Sequence, residues 1–224
     1  MLKQIFPNVA HIWPQFVQSI WETIYMTFWS SLIDGILGLG IGISLVITQE
    51  GGIAEDGYVY SLVDKVVNLL RSIPFIILLA VMFPITNFIV HTTVGTTAAL
   101  VPLVVGIFPF YARQVQNALL EIDPQVIEAA RSMGSGNLEI IFRIYLREGL
   151  PDLIRASIVT VISLIGLTTM AGAIGSGGLG DVAISIGYAR YQNDVTVAAM
   201  LVILIMVFIV QFAGDWLAKK TVHL

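Results

Sequence analysis

Three groups of residues in this chain have types and spacings that chemistry could use. Gly175-Ser176-Gly177-Gly178-Leu179-Gly180 satisfies the glycine pattern that cradles a dinucleotide pyrophosphate. That mechanism needs a preceding strand and a following helix in a parallel sheet, whereas these glycines follow an apolar run long enough to cross a membrane. The pattern is therefore read as a flexible external turn. The second group is Glu128-Ala129-Ala130-Arg131-Ser132-Met133-Gly134, a short polar helix lodged between apolar runs and expected to touch something in the water. The third is the set of ionisable residues inside apolar runs, where each is costly. Asp34 lies deepest and either pairs with another helix or subunit or lines a pathway, while Arg71 is expected to snorkel towards the cytoplasmic surface. Glu22 and Asp215 sit near run ends and call for no special role, and His11 and His91 stand alone without the partners a metal site demands. No catalytic residue and no metal ligand is assigned.

The elements that carry these residues follow from composition. With 57% hydrophobic and 12% charged residues and a mean hydropathy of +0.88, the chain is too apolar for a soluble domain. Several runs approach the roughly 20 apolar residues of a helical crossing, and none alternates like a barrel strand. The expected fold is all-α: a polytopic membrane protein, 1–224 forming one transmembrane domain, with about five crossings at 22–48, 62–85, 92–112, 152–174 and 195–217. No segment is left for a nucleotide-binding core, so energy must come from a partner or a gradient. The 224 residues include no cysteine, which excludes disulfide and thiolate chemistry, and the net charge of −4 makes nucleic acid an unsuitable partner. Met1 to Phe16 holds one lysine, two prolines and no sustained apolar core, so the first helix is expected to act as its own insertion signal. Cationic loops stay on the cytoplasmic side. Arg113, Arg131, Arg143, Arg147 and Arg155, together with Lys219 and Lys220, place the loop at about 113–151 and the C-terminus inside. Lys3 is then alone at an outer N-terminus, and Arg190 alone in the last outer loop.

Within the inner loop Asp123 is an N-cap with Pro124 at the first helical position, Ile122 and Ile127 have the spacing of a hydrophobic staple, and Gly134 stands where a left-handed C-cap closes the helix. Ser135 then caps a second helix. Leu138, Ile141, Phe142 and Tyr145 fall on one of its faces, and Glu139 and Arg143 on another at ion-pair spacing. Gly149 and Pro151 end that helix and start the fourth crossing. On the first crossing, Gly38 and Gly42 form a small-residue face suited to close packing, with Gly35 and Gly40 nearby.

Glu128-Ala129-Ala130, three residues, Gly134, nine residues, then Ile144-Tyr145-Leu146 resembles the signature loop of permease subunits of ABC importers. One departure stands out: Arg147 follows Leu146 where the family pattern has proline, and proline comes one turn later at Pro151. Arg71-Ser72-Ile73-Pro74-Phe75-Ile76-Ile77-Leu78, Asn117-Ala118-Leu119-Leu120-Glu121-Ile122 and Gln211-Phe212-Ala213-Gly214-Asp215 resemble the methionine importer permeases more narrowly. These matches run from about residue 60 to the end. The resemblance implies that Glu128, Ala129, Ala130 and Gly134 couple the chain to a separate cytoplasmic ATPase, which would bind the ATP and magnesium, so this chain needs no cofactor of its own. It also implies a homodimer with two ATPase copies and an external binding lipoprotein, in the lipid of a prokaryotic cell membrane, importing methionine or a close analogue through a pore between the subunits. Met170, flanked by small residues, is a candidate gate there, as Asp34 is a candidate pathway residue. A permease for another small polar solute, a gradient-driven transporter and a membrane scaffold remain the alternatives. The gradient-driven class would ordinarily carry mid-membrane carboxylates for a coupling ion, and here only Asp34 qualifies.

Overall fold

The computed structural model describes residues 6–221, so the expectation attached to Lys3 lies outside the described residues. Among them there is no strand. The elements are α1 (Pro7–His11), α2 (Trp13–Thr48), α3 (Gly57–Ser72), α4 (Phe75–Val81), α5 (Phe83–Val90), α6 (Thr96–Leu120), α7 (Pro124–Ser132), α8 (Asn137–Ile140), α9 (Leu146–Glu148), α10 (Leu150–Ala171), α11 (Gly178–Asp181) and α12 (Asn193–Thr221). Wider π-helical turns occupy Ile141–Tyr145, Gly172–Ser176 and Val182–Tyr188.

Among the described residues four helices are long and apolar enough to cross a membrane: α2, α6, α10 continued through Ser176, and α12. The chain is thus an all-α, multi-pass membrane protein. The crossing expected at 62–85 is not one helix. Proline lacks the N–H that would continue the ladder and disfavours helical geometry in the residue before it, so α3 stops at Ser72 and α4 begins after Pro74, whose φ and ψ are −57° and 131°. Pro84 sits in the first turn of α5 after a second interruption at Met82.

Two more boundaries move. The first crossing begins at Trp13, before the expected residue 22. The third runs on to Leu120, so Arg113 belongs to a helix and not to the inner loop. Its guanidinium donates to Asp64 at 2.6 Å, to Asn68 at 3.0 Å and to Gln116 at 2.6 Å. Those acceptors, two of them more than forty residues away, make the polar end of α6 affordable.

Close contacts divide the chain into two compact units. One comprises the residues up to Ile33, Ile73–Gly106 and Val161–Val210. Its core gathers Val9, Phe16, Leu179, Val182, Ile186, Val195 and Ala199. Asn8 donates its backbone N–H and its side-chain amide to the two carboxylate oxygens of Asp194, at 2.9 and 2.8 Å, which ties α1 to the start of α12. The other unit comprises Asp34–Ser72, Ile107–Thr160 and the residues from Gln211 onward. Its core holds Val46, Ile53, Tyr111, Val115, Leu119, Ala130, Ile140, Tyr145, Leu153 and Ala156. Gly38 and Gly42 behave as their spacing suggests. A Cβ on Gly38 would stand 2.6 Å from the Tyr111 ring, and one on Gly42 would stand 2.6 Å from Val115 and 2.7 Å from the Ala112 carbonyl. Gly35 and Gly40 have nothing within 4 Å of such a Cβ and take no part in this contact.

Candidate functional site

The short helix α7 is delimited by local chemistry at both ends. Asp123 accepts from the Gln125 N–H at 2.9 Å, and Pro124 occupies the first turn. At the other end Gly134 has φ +85°, its N–H reaches the Arg131 carbonyl at 3.0 Å, and the Ser135 N–H reaches the Ala130 carbonyl at 3.1 Å. That pair of bonds is the Schellman closure. Ile122 and Ile127 both pack against the core beneath the helix, as a staple should.

The four residues expected to act together divide between two faces. Ala130 is 4% exposed and packs with Ile140, Tyr145 and Leu119, so it seats α7 on its own chain. Glu128, Ala129 and Gly134 are exposed. The outward surface is completed by Val126 and by Met133, which is 80% exposed.

The second loop helix differs from its expected pattern. Its N-cap is Gly136, which makes no side-chain cap, and Ser135 serves instead in the Schellman closure. The π-turn at Ile141–Tyr145 shifts the periodicity. Ile140, Ile141 and Tyr145 turn inward, while Leu138 and Phe142, expected on the same face as Ile141 and Tyr145, are 71% and 66% exposed. Glu139 and Arg143 form the expected ion pair at 2.8 Å. Burial pushes the Tyr145 hydroxyl above its ordinary pKa, and the nearby Arg131 guanidinium opposes part of that rise.

The glycine segment at 175–180 is not a loose external turn. Gly175, Gly177 and Gly178 have φ of +91°, +82° and +79°, which folds the chain back sharply after α10. Both sides of this hairpin turn are packed tightly. A Cβ on Gly172 would stand 2.6 Å from the Asp181 nitrogen, and one on Gly180 would collide with the Thr169 carbonyl. Glu22 and Thr23 fasten it. Glu22 accepts from the Gly178 N–H at 2.7 Å and Thr23 from the Leu179 N–H at 2.8 Å, so the carboxylate sits at the start of α11 where N–H groups are unsatisfied. The reading that gave Glu22 no role is corrected by these contacts. Beside the hairpin lies a polar cavity of about 530 Å³, lined by Gln15, Gln18, Glu22, Thr96, Ser176 and Asp181 among others.

The two expected pathway residues lie in different surroundings. Met170, near the end of α10, is 41% exposed. Asp34 is 1% exposed, and neither of its carboxylate oxygens has a hydrogen-bond partner among the described residues.

Comparison with known proteins places this architecture. The family model described as binding-protein-dependent transport system inner membrane component matches residues 36–223. The chain belongs to this family. Among curated relatives of the permease, the probable D-methionine transport system permease protein of Pasteurella multocida is 43% identical over 212 residues, covering 95% of this chain and 98% of that one. The methionine import system permease protein of Bacillus subtilis is 46% identical over 217 residues, covering 96% of each. A solved structure of the MetNI methionine ABC transporter in an inward-facing conformation contains a chain 42% identical to this permease, with a TM-score of 0.92 over 94% of this chain and 97% of that one. An amino acid ABC transporter crystallised with histidines shares the fold, with a TM-score of 0.79 at 16% identity.

Proposed function

We propose that this permease is the membrane-spanning subunit of an ATP-driven importer of methionine or a closely related amino acid. Two copies would form the pathway and two copies of a separate ATPase would drive it, ATP and magnesium being bound there and not by this chain. An external binding protein would deliver the substrate. The observation that carries the reading is α7: a helix closed at both ends, seated on the core through Ala130, and presenting Glu128, Ala129 and Met133 outward. Such a helix suits docking into a groove of a cytoplasmic partner, with Gly134 fixing its end. The cationic residues around α7 and at the end of α12 support an inner position for both, hence an outer N-terminus, in a prokaryotic cell membrane. Met170 is the candidate gate and Asp34 a candidate pathway residue. ATP binding would draw the ATPases together and move the docked α7 helices with them, so that the crossings alternate between inward and outward access.

Reconstitution tests this. Proteoliposomes holding the permease, its ATPase and the binding protein loaded with labelled methionine should accumulate label only when ATP is supplied on the ATPase side. Accumulation driven by an ion gradient without ATPase, or ATP hydrolysis that moves no solute, refutes the proposal.

A further inference from the structure

The faces of α3 are arranged against expectation for a helix lying at a membrane surface. Asp64, Asn68 and Arg71 follow one another at i, i+4 and i+7 and share one face. Leu62, Val66 and Leu69 each precede one of them by two residues, about 200° around the helix, and form the opposite face. The apolar face is open, with Leu62 55%, Val66 46% and Leu69 65% exposed, and on the polar face Asn68 and Arg71 are exposed as well. The polar face turns towards α6, because Arg113 donates to both Asp64 and Asn68. Lipid therefore suits the leucine side, and Arg71 stands on the side turned away from it.

Depth follows from pairing along α6. Ile53, just before α3, shares a core with Val115 and Leu119, while Asp64 pairs with Arg113, so α3 climbs as α6 descends. Arg71 lies seven residues beyond Asp64, roughly 10 Å further along. That level is the middle of the 25-residue α6. On the import reading that level is about two helical turns from the cytoplasmic surface, which argues against the snorkelling expected of Arg71. Arg71 is exposed, and its guanidinium makes no ion pair or hydrogen bond among the described residues. A cation at mid-membrane depth that avoids lipid and lacks a protein partner faces a water-filled space.

We propose that Arg71 is a carboxylate-binding residue on the translocation pathway, taking the α-carboxylate of the amino acid in passage. The inference rests on the import reading given above and names the contact that makes it selective. The guanidinium fork matches a carboxylate with two parallel hydrogen bonds. The opposite pole of the zwitterion finds a counterpart at the same helix end. Arg71 is in the last turn of α3, where free carbonyls carry the negative end of the helix, and Pro74 has no N–H to take the bond from the Leu70 carbonyl.

The test uses the assembled transporter in proteoliposomes with methionine-loaded binding protein. Arg71→Gln should lower uptake roughly tenfold, the scale of one lost charge-assisted contact, with assembly unchanged, and Arg71→Lys should recover part of the loss. Because the chain has no cysteine, Arg71→Cys gives an independent readout. It should react with an anionic water-soluble thiol reagent. Uptake by Arg71→Gln within about twofold of wild type, a difference too small for a direct contact, overturns the inference. So does an Arg71→Cys thiol that the anionic reagent never modifies. A wild-type complex that moves no methionine overturns the functional reading and the ligand with it, whereas normal uptake by Arg71→Gln overturns this inference alone.

Discussion

Substitution of Gly134 separates the conformation of the loop from its charge. With φ at +85° the residue lies where an L side chain is strained, yet nothing stands within 4 Å of a Cβ built there. The effect of Gly134→Ala is therefore pure backbone strain, roughly 1–2 kcal/mol for a residue in the left-handed region. That is a factor of about 5–30 in the population of the closed end of α7. Gly134→Asn should cost less, since asparagine tolerates this conformation, and Gly134→Asp should cost more, because a carboxylate at a helix C-terminus opposes the dipole by about 0.3–1 kcal/mol. Uptake should fall in the order Gly, Asn, Ala, Asp while membrane insertion stays constant. Hydrogen exchange should show why: the Gly134 and Ser135 amides, bonded to the Arg131 and Ala130 carbonyls, should lose protection in the same order. Normal transport by Gly134→Asp, or loss of transport with both amides still protected, would refute the claim that this cap sets the docking geometry.

The two alanines of α7 should behave oppositely as cysteines: Ala129→Cys should react quickly with aqueous thiol reagents and cross-link to a cysteine in the ATPase groove, with a yield that changes when ATP binds. Ala130→Cys, at a position 4% exposed, should do neither, and equal cross-linking of the two would show that α7 docks through another face. At the hairpin, Glu22→Ala removes a carboxylate from the Gly178 N–H and should lower stability by about 1.5–3 kcal/mol, read as a lower Tm of the detergent-solubilised protein. Glu22→Gln keeps an acceptor and should lose less, so equal losses would mean that the carboxylate is not what holds the hairpin.

What could be read from the sequence was what neighbours in sequence decide. Asp123, Pro124 and Gly134 cap α7 through atoms within a few residues of each other, and the structure forms each of those contacts. The long apolar runs of α2, α10 and α12 likewise declare themselves by composition. The misreadings share a different cause. Local sequence puts Arg113 in a loop because its acceptors Asp64 and Asn68 lie 49 and 45 residues away. The glycines after α10 read as slack because Glu22 and Thr23, each 156 residues from its partner, give no local sign of the bonds they accept. Hydrophobicity around Pro74 outweighed the proline itself, although the missing N–H was plain in the sequence. Ala129 and Ala130 could not be told apart, since which one is buried depends on where Ile140 and Tyr145 stand, and a π-turn sets that.

The same core suggests how a small displacement of α7 could be felt in the crossings. Ala130 and Ile127 rest on a single cluster that also contains Val46 of α2, Val115 and Leu119 of α6, and Leu153 and Ala156 of α10. Packed interiors transmit displacement instead of absorbing it. A partner that pulls on the outer face of α7 therefore loads three long helices at once. Around the cluster those helices are already joined: Gly42 brings α2 against Val115, and the Tyr111 hydroxyl of α6 is hydrogen-bonded to Ser157 of α10 at 2.8 Å. Loosening α7 from this cluster should uncouple the partner without disturbing the joints among the three helices, and loosening the joints should do the reverse. On the proposed function, that asymmetry would make the buried Ala130 a positioning residue of the coupling apparatus and the exposed Ala129 the contact.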